Sequence, residues 1–320
     1  MPADAGRSGN TARGLTAALA ACVFWGVNVA ASKIAVGGFP PFAAAFLRFS
    51  MAAAVLSPAV MRARPLSRGE WRLYLPLAAV GIAGFSVTYF LGLKRTTAAD
   101  ASVVIGANPL ATMLIELVWL RTALRGRRAA GIVLSMGGIA ATTIGAATAG
   151  GDELQRIGGD LLLIVAVVAW SAYTVGNRLA TRDRSPVEVA ARMTMLGALI
   201  LAAPAAASGQ LASVRTASLG DWAALVYTGT VAAAVAYALW AAAVRDIGPT
   251  GAALSLNLVP VLGLISSAVM LGERLPLSTL AGAALVVSGI LLAEWPARRR
   301  PQPAPIEAME SAEAAGGTPR

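Results

Sequence analysis

Histidine is absent from all 320 residues, and Cys22 is the only cysteine. That excludes an intramolecular disulfide, a Cys/His zinc site and any catalytic triad built on imidazole. Cys22 stands in an apolar run and reads as packing. Charge is also scarce. Only 13% of the residues are Asp, Glu, Lys or Arg, against about 25% in a soluble domain. Acids are the scarcer sign, 16 against 26 bases, which leaves a net charge of +10. Such a balance can mark a nucleic-acid binder. Here the charges sit in short clusters between apolar runs, the pattern of membrane anchors. What is abundant is hydrophobic surface, at 57% of residues. A soluble fold this apolar could not cover itself with polar groups, so the expected solvent is lipid.

Ten segments have the roughly 17–25 mostly apolar residues that a membrane-spanning helix needs. They run over about 14–36, 41–61, 72–93, 97–120, 129–149, 159–180, 186–207, 221–244, 249–271 and 277–295. The fold class expected is therefore an all-α polytopic membrane protein. Short connectors make consecutive helices antiparallel neighbours. Of the 26 Lys and Arg residues, 18 fall on the side of the N-terminus, 6 on the other side and 2, Arg48 and Arg192, within spans. The positive-inside rule then puts both termini in the cytoplasm of a multi-pass cell-membrane protein. The first span is too long for a signal-peptide core and continues into a second span. Residues 1–12 and 296–320 read as disordered tails.

The chain repeats itself at an offset near 145–151 residues. Trp25 and Lys33 recur as Trp170 and Arg178. Pro41 with Arg48 recurs, one residue out of register, as Pro186 with Arg192. Asn108-Pro109 recurs as Asn257 with Pro260, and Gly131, Leu134, Gly138 and Ile139 recur as Gly282, Leu285, Gly289 and Ile290. The first repeat covers 14–149 and the second 159–295, with a linker at 150–158. Five spans per repeat is an odd number, so the second copy starts on the opposite face of the membrane. Two inverted five-helix repeats, related by an axis in the membrane plane, are the architecture of alternating access, with the substrate near the midplane.

These residues resemble the drug/metabolite transporter superfamily, and within it the EamA-type ten-helix exporters. The matching features are the mid-span tryptophan opening each half, the central proline of each fourth span, and the stretch Tyr237-Ala-Leu-Trp240, Gly248-Pro-Thr250, Asn257-Leu-Val-Pro260 and Leu271-Gly-Glu273. The likeness covers about residues 14–295. It implies efflux, with an amino acid or related metabolite as the commonest substrate class. The family often carries a Gly-Glu pair after the fourth span of each half. Gly272-Glu273 keeps it, whereas the first half has Arg121 and Thr122.

Depth along a helix follows from its rise of about 1.5 Å per residue. Trp25, Asn28, Asn108, Pro109, Trp170, Tyr173, Asn257 and Pro260 all fall near mid-span and form the expected substrate site. Pro109 frees the carbonyl of Ile105 and Pro260 that of Leu256, and each then needs a neighbouring helix or a wet cavity as partner. The tryptophans offer flat faces to a solute or cation. Arg48 lies roughly 10 Å below the outer end of its span, and Arg192 roughly 9 Å above the inner end of its own. A charge at such depth is a functional candidate, for substrate at Arg48 and for gating at Arg192, unless it snorkels. Glu188, four residues earlier, can neutralise Arg192. Tyr89, Tyr237 and Trp240 read as lying nearer span ends, where aromatics form interfacial belts or gates. Glu116 is the only clear acid read within a span, and a proton-coupling candidate. Its depth of about 27 Å from the outer end also suits a salt bridge to the Arg121–Arg128 cluster.

The function expected is secondary transport of a small polar metabolite by alternating access, with protons as a conceivable coupling ion. No nucleotide-binding P-loop is present, and neither a metal nor an organic cofactor is expected. The alternative within transport is a multidrug or sugar-derivative carrier, which an acid deep in an aromatic cavity would favour. The alternative of another class is an intramembrane enzyme. It needs a nucleophile with a base, or a metal cluster, at membrane depth, and this chain offers one apolar Cys and one off-centre acid.

Overall fold

The computed structural model describes residues 3–61, 63–120, 126–148, 153–181 and 183–294. They form ten helices. These are α1 (Ala3–Gly38), α2 (Pro41–Met61), α3 (Arg68–Arg95), α4 (98–120) and α5 (Gly126–Thr148). The second half holds α6 (Glu153–Ala180), α7 (Pro186–Ala207), α8 (219–253), α9 (Leu258–Leu271) and α10 (Leu277–Glu294). Helix is the expected answer in lipid, where every backbone donor and acceptor must be satisfied within the segment. Seven of the helices are long and apolar enough to span a membrane. Three shorter apolar stretches, Ala129–Ile144, Ser255–Leu271 and Leu277–Ala293, complete the ten.

Two boundaries differ from the sequence reading. Helix begins at Ala3 rather than after residue 12, because a helix already nucleated by a long span extends at little further cost. Residues 245–248, read as the connector between the eighth and ninth spans, and Pro249, read as the start of the ninth, lie inside the helix Ala236–Ala253, and the break comes later, at the 3₁₀ turn Leu254–Asn257. The tail 296–320 lies outside the described residues.

The packing reproduces the repeat. α1 packs on α8 and α9, and α6 packs on the counterparts α3 and α4. α2 packs on α8 as α7 packs on α3. The remaining main pairs, α2 with α7, α4 with α9 and α5 with α10, each join a helix to its own counterpart. Exchanging the halves maps this pattern onto itself, which is what a two-fold axis running between the paired helices produces. The α5–α10 seam shows it at atomic level. A Cβ on Gly138 would stand 2.6 Å from the Gly282 carbonyl, and a Cβ on Gly282 2.6 Å from the Gly138 carbonyl. Ser135 donates to the carbonyl of its own counterpart, Val286, at 3.1 Å. Close approach through small residues is how helices associate in lipid. Gly138→Ala should therefore force the seam apart and cost about 1–3 kcal/mol, read as a lower melting temperature in detergent. An unchanged melting curve would contradict the packing.

The third helix of each half carries a feature that no residue pattern announced. α3 widens to a π-helix over Ala78–Gly84, and α8 over Tyr227–Val235. Such insertions are rare and concentrate at functional sites. Both α3 and α8 start from a capping box, Ser67 with Glu70 and Ser218 with Asp221, which fixes their first turns in the same way.

Candidate functional site

The two wide turns bring aromatic side chains of both halves into one run. Trp25 of α1 donates its Nε1–H to the Ala232 carbonyl in the π-segment of α8, at 3.0 Å. Its ring meets Tyr237 edge-on at 5.9 Å and Trp240 at 5.4 Å. Tyr237 in turn meets Trp170 of α6 edge-on at 5.6 Å. Trp170 touches Tyr173 at 5.3 Å and Phe85 at 5.2 Å, and Phe85 stacks on Tyr89 at 5.4 Å. Tyr237, Trp240 and Tyr89 thus pack against other aromatic side chains inside the bundle. Phe85, which joins α3 to this run, carried no signal in the sequence.

The two intramembrane arginines have different surroundings. Arg48 is 3% exposed, and its Nε and Nη1 find no hydrogen-bond partner. Its guanidinium carbon lies 5.4 Å from the ring centre of Phe49, 5.9 Å from Tyr89 and 5.8 Å from Phe90. Three ring faces attract a cation but leave the Nε and Nη1 donors unused. Arg192 donates to Glu188 at 3.0 Å and to the Arg64 carbonyl at 2.5 Å. It thereby joins a latch on the face of the chain ends. There Arg184 binds Glu70 at 2.5 Å, the carbonyls of Arg64 and Pro65, and Glu188. The Glu70 carboxylate holds the Arg184 guanidinium above its ordinary pKa. Where α7 carries Glu188 four residues ahead of Arg192, α2 carries Ala44 ahead of Arg48. The repeat has kept both cations and given an acid to one.

The fourth helix of each half is broken where its Asn-Pro elements lie. α4 interrupts at Ala107, between Gly106 and Asn108. The Ile105 carbonyl freed by Pro109 is not open to a ligand, because Asn108 Nδ2 donates to it at 2.9 Å. That leaves Asn108 Oδ1 without a partner, and Asn257 Oδ1 is likewise unpartnered. Ser171, next to Trp170, donates to the Asn108 carbonyl at 3.3 Å, which ties the break to the aromatic run. Pro260 packs against Gly106, so the two broken helices cross at their breaks. Asn28 is buried and accepts from Ser32 at 3.4 Å. The π-segment Gly81 leaves room for Tyr173, which a Cβ there would overlap. Glu116 lies on the second piece of α4, and its side chain falls outside the described residues.

A second set of polar groups lies on the face opposite the chain ends. Asp100 and Asp160 are both sealed within helices, at 2% and 1% exposure. Glu116 is therefore not the only acid to consider. Asp100 accepts from Arg156 at 3.2 Å and from Thr279 at 3.0 Å. Glu273, following Gly272 in its left-handed conformation (φ +63°), accepts from the backbone of Ala98 and Ala99 at 2.9 and 2.8 Å. The second half so caps a helix of the first. Lys33 donates to the carbonyls of Leu93 and Thr96, each at 2.5 Å. Among the described residues no cluster of His, Cys, Asp or Glu could hold a metal ion.

This geometry can be set beside known proteins. The model of the EamA-like transporter family matches the chain twice, over 12–144 and 157–295. A transporter of Bacillus subtilis, YyaM, is 27% identical over 275 residues, 85% of this chain and 90% of its own. A Salmonella typhimurium protein named "Probable amino-acid metabolite efflux pump" is 28% identical over 86% of this chain and 92% of its own. One from Streptantibioticus cattleyicolor, named "Probable terminal-alkyne amino-acid exporter", is 26% identical over 84% of this chain and 89% of its own. A solved crystal structure superposes with a TM-score of 0.60 at 24% identity, covering 89% of this chain and 96% of that one. It supports the fold alone.

Proposed function

We propose, from the premise that this chain belongs to the EamA-like transporter family, that it exports an amino acid or a closely related zwitterion across the cell membrane by alternating access. A small-molecule substrate and a multi-pass membrane setting follow from the family. The finer reading rests on the aromatic run that joins both halves, with Arg48 uncompensated at its end. A zwitterion carries a carboxylate, an ammonium and a side chain. Arg48 offers unused donors to the carboxylate, and a guanidinium fork suits that group bidentately. Asn108 Oδ1 and Asn257 Oδ1 offer acceptors to the ammonium, and the rings of Trp25, Tyr237 and Trp170 pack the rest and attract the cation. Trp25, Tyr237 and Trp170 are only half-buried although they touch one another across three helices.

The symmetry supplies the motion. With α2–α7, α4–α9 and α5–α10 lying on the axis, a rocking of one half against the other opens one face as it closes the other. The latch around Arg184 and the clasp around Glu273 are the contacts that would break in turn. The positive-inside bias places the latch on the cytoplasmic face, so its release admits substrate from the cell.

The test is exchange of radiolabelled amino acids by proteoliposomes containing the purified chain. Asn108→Ala and Asn257→Ala each remove one acceptor of a charged donor, a loss of ~1.5 kcal/mol or more, so each should weaken apparent affinity by about tenfold with expression intact. Wild-type behaviour of both variants would place the site elsewhere. Wild-type vesicles that exchange no amino acid would sink the substrate class.

A further inference from the structure

The substrate reading gives no task to Asp160. It stands at the start of α6, 1% exposed, and neither carboxylate oxygen has a hydrogen-bond partner. The hydroxyls of Thr96, at the α3–α4 turn, and Thr143, on α5, face it without reaching hydrogen-bond geometry, and both also lack partners. Three elements, α6, α5 and the α3–α4 turn, therefore bring together buried oxygen atoms without hydrogen-bond partners. Buried polar groups are almost always paired, so such a set calls for an occupant.

None of the surrounding charges hydrogen-bonds Asp160, and Arg156 acts on it only through space. Arg156, one turn earlier on α6, bonds Asp100 of α4, which also holds Thr279 of α10. Lys33 of α1 is directed at the carbonyls of Leu93 and Thr96, and Glu273 caps α4. From α3, Lys94 and Arg95 are exposed. An ionised carboxylate sealed in this way is costly, and uptake of a cation removes the cost. One carboxylate and two hydroxyls supply fewer oxygens than the six to eight of a hard metal shell. A proton needs one lone pair.

We propose that Asp160, with Thr96 and Thr143, is the site where this transporter takes up and releases a coupling proton, a step that rests on the transport reading above. The position suits the task. Thr96 is the C-cap of α3, and its carbonyl is gripped by Lys33 of the first half. The next residue, Thr97, caps α4, whose amides are held by Glu273 of the second half. A protonated Asp160 leaves this clasp between the halves undisturbed. An ionised Asp160 draws the Thr96 hydroxyl towards itself and pulls on the turn that both halves hold.

The experiment reads the acid without requiring transport. N,N′-dicyclohexylcarbodiimide reacts with protonated carboxyl groups in apolar surroundings, and peptide mass spectrometry locates the adduct. With the full chain in liposomes, Asp160 should be modified, with a yield that falls as pH rises. Thr96→Val and Thr143→Val should each shift that pH midpoint. Asp160→Asn should lose the adduct and, in vesicles that exchange amino acids, the acceleration that an imposed pH gradient gives the wild type. An Asp160 that is unmodified at every pH, or modified equally at all of them, overturns the proposal. Protection by sodium at constant pH overturns it in favour of a sodium site. Vesicles without amino-acid exchange but with a pH-dependent adduct would sink the substrate reading and leave the proton site standing.

Discussion

Replacing Arg48 by Ala is expected to weaken binding of a carboxylate-bearing solute by about 10- to 100-fold. The figure follows from the ~1.5–3 kcal/mol that a hydrogen bond to a charged group contributes. The measurement is competition against a labelled amino acid, comparing the free acid with its methyl ester. The wild type should prefer the acid and the variant should lose the preference. A structural role predicts something different. Arg192, bonded to Glu188 and to the Arg64 carbonyl, is knit into the fold, and its removal should lower thermal stability. Arg48 has rings beside it and two nitrogens without partners. Leaving a buried charge unpaired is costly in the empty protein, so Arg48→Ala should melt no lower than the wild type. Arg48→Lys keeps the charge and loses the planar fork, and should fall between the two. Arg48→Ala that destabilises the protein while leaving acid and ester equally discriminated would make Arg48 a packing residue.

That contrast between two arginines shows how far the residues alone could carry the reading. The spans were legible because lipid demands long apolar stretches, and the repeat was legible because Trp25, Arg48, Pro109 and Gly138 each have a counterpart. The pairing of Arg192 was open to a spacing argument, since Glu188 lies one turn away on the same helix. Its bond to the Arg64 carbonyl was not, because that carbonyl arrives from another half. The site's shape was hidden for a related reason. The aromatic run depends on which faces α1, α3, α6 and α8 turn to one another, and no spacing along a single helix records that. Asp160 escaped notice because it begins a span, where an acid normally meets water. Its burial comes from α3, α4 and α5 closing over it, a tertiary fact with no local mark. The ninth helix was misjudged for the opposite reason. Pro249 was read as the start of the ninth span, yet the eighth helix runs through it to Ala253.

Tyr237→Ala should be the most damaging of the aromatic changes, because Tyr237 is the ring that joins the two mid-span tryptophans. It meets Trp25 at 86° and Trp170 at 89°, two edge-to-face contacts worth about 0.5–1.5 kcal/mol each. Trp25 remains pinned by its bond to the Ala232 carbonyl and by Trp240. Trp170 remains packed on Phe85 and Tyr173. Removing the ring therefore leaves two intact aromatic groups with a gap between them, and a solute that needs both faces loses one. Amino-acid exchange should drop by about 10- to 100-fold, the kinetic equivalent of ~1.4–2.7 kcal/mol. Tyr237→Phe keeps both ring contacts and should exchange within a few-fold of wild type. Tyr237→Leu retains an apolar side chain and loses the ring. If the ring serves only to fill space, Leu should restore exchange. If it is the bridge between the two tryptophans, Leu should remain nearly as poor as Ala while its melting temperature recovers, and the two measurements together decide which it is.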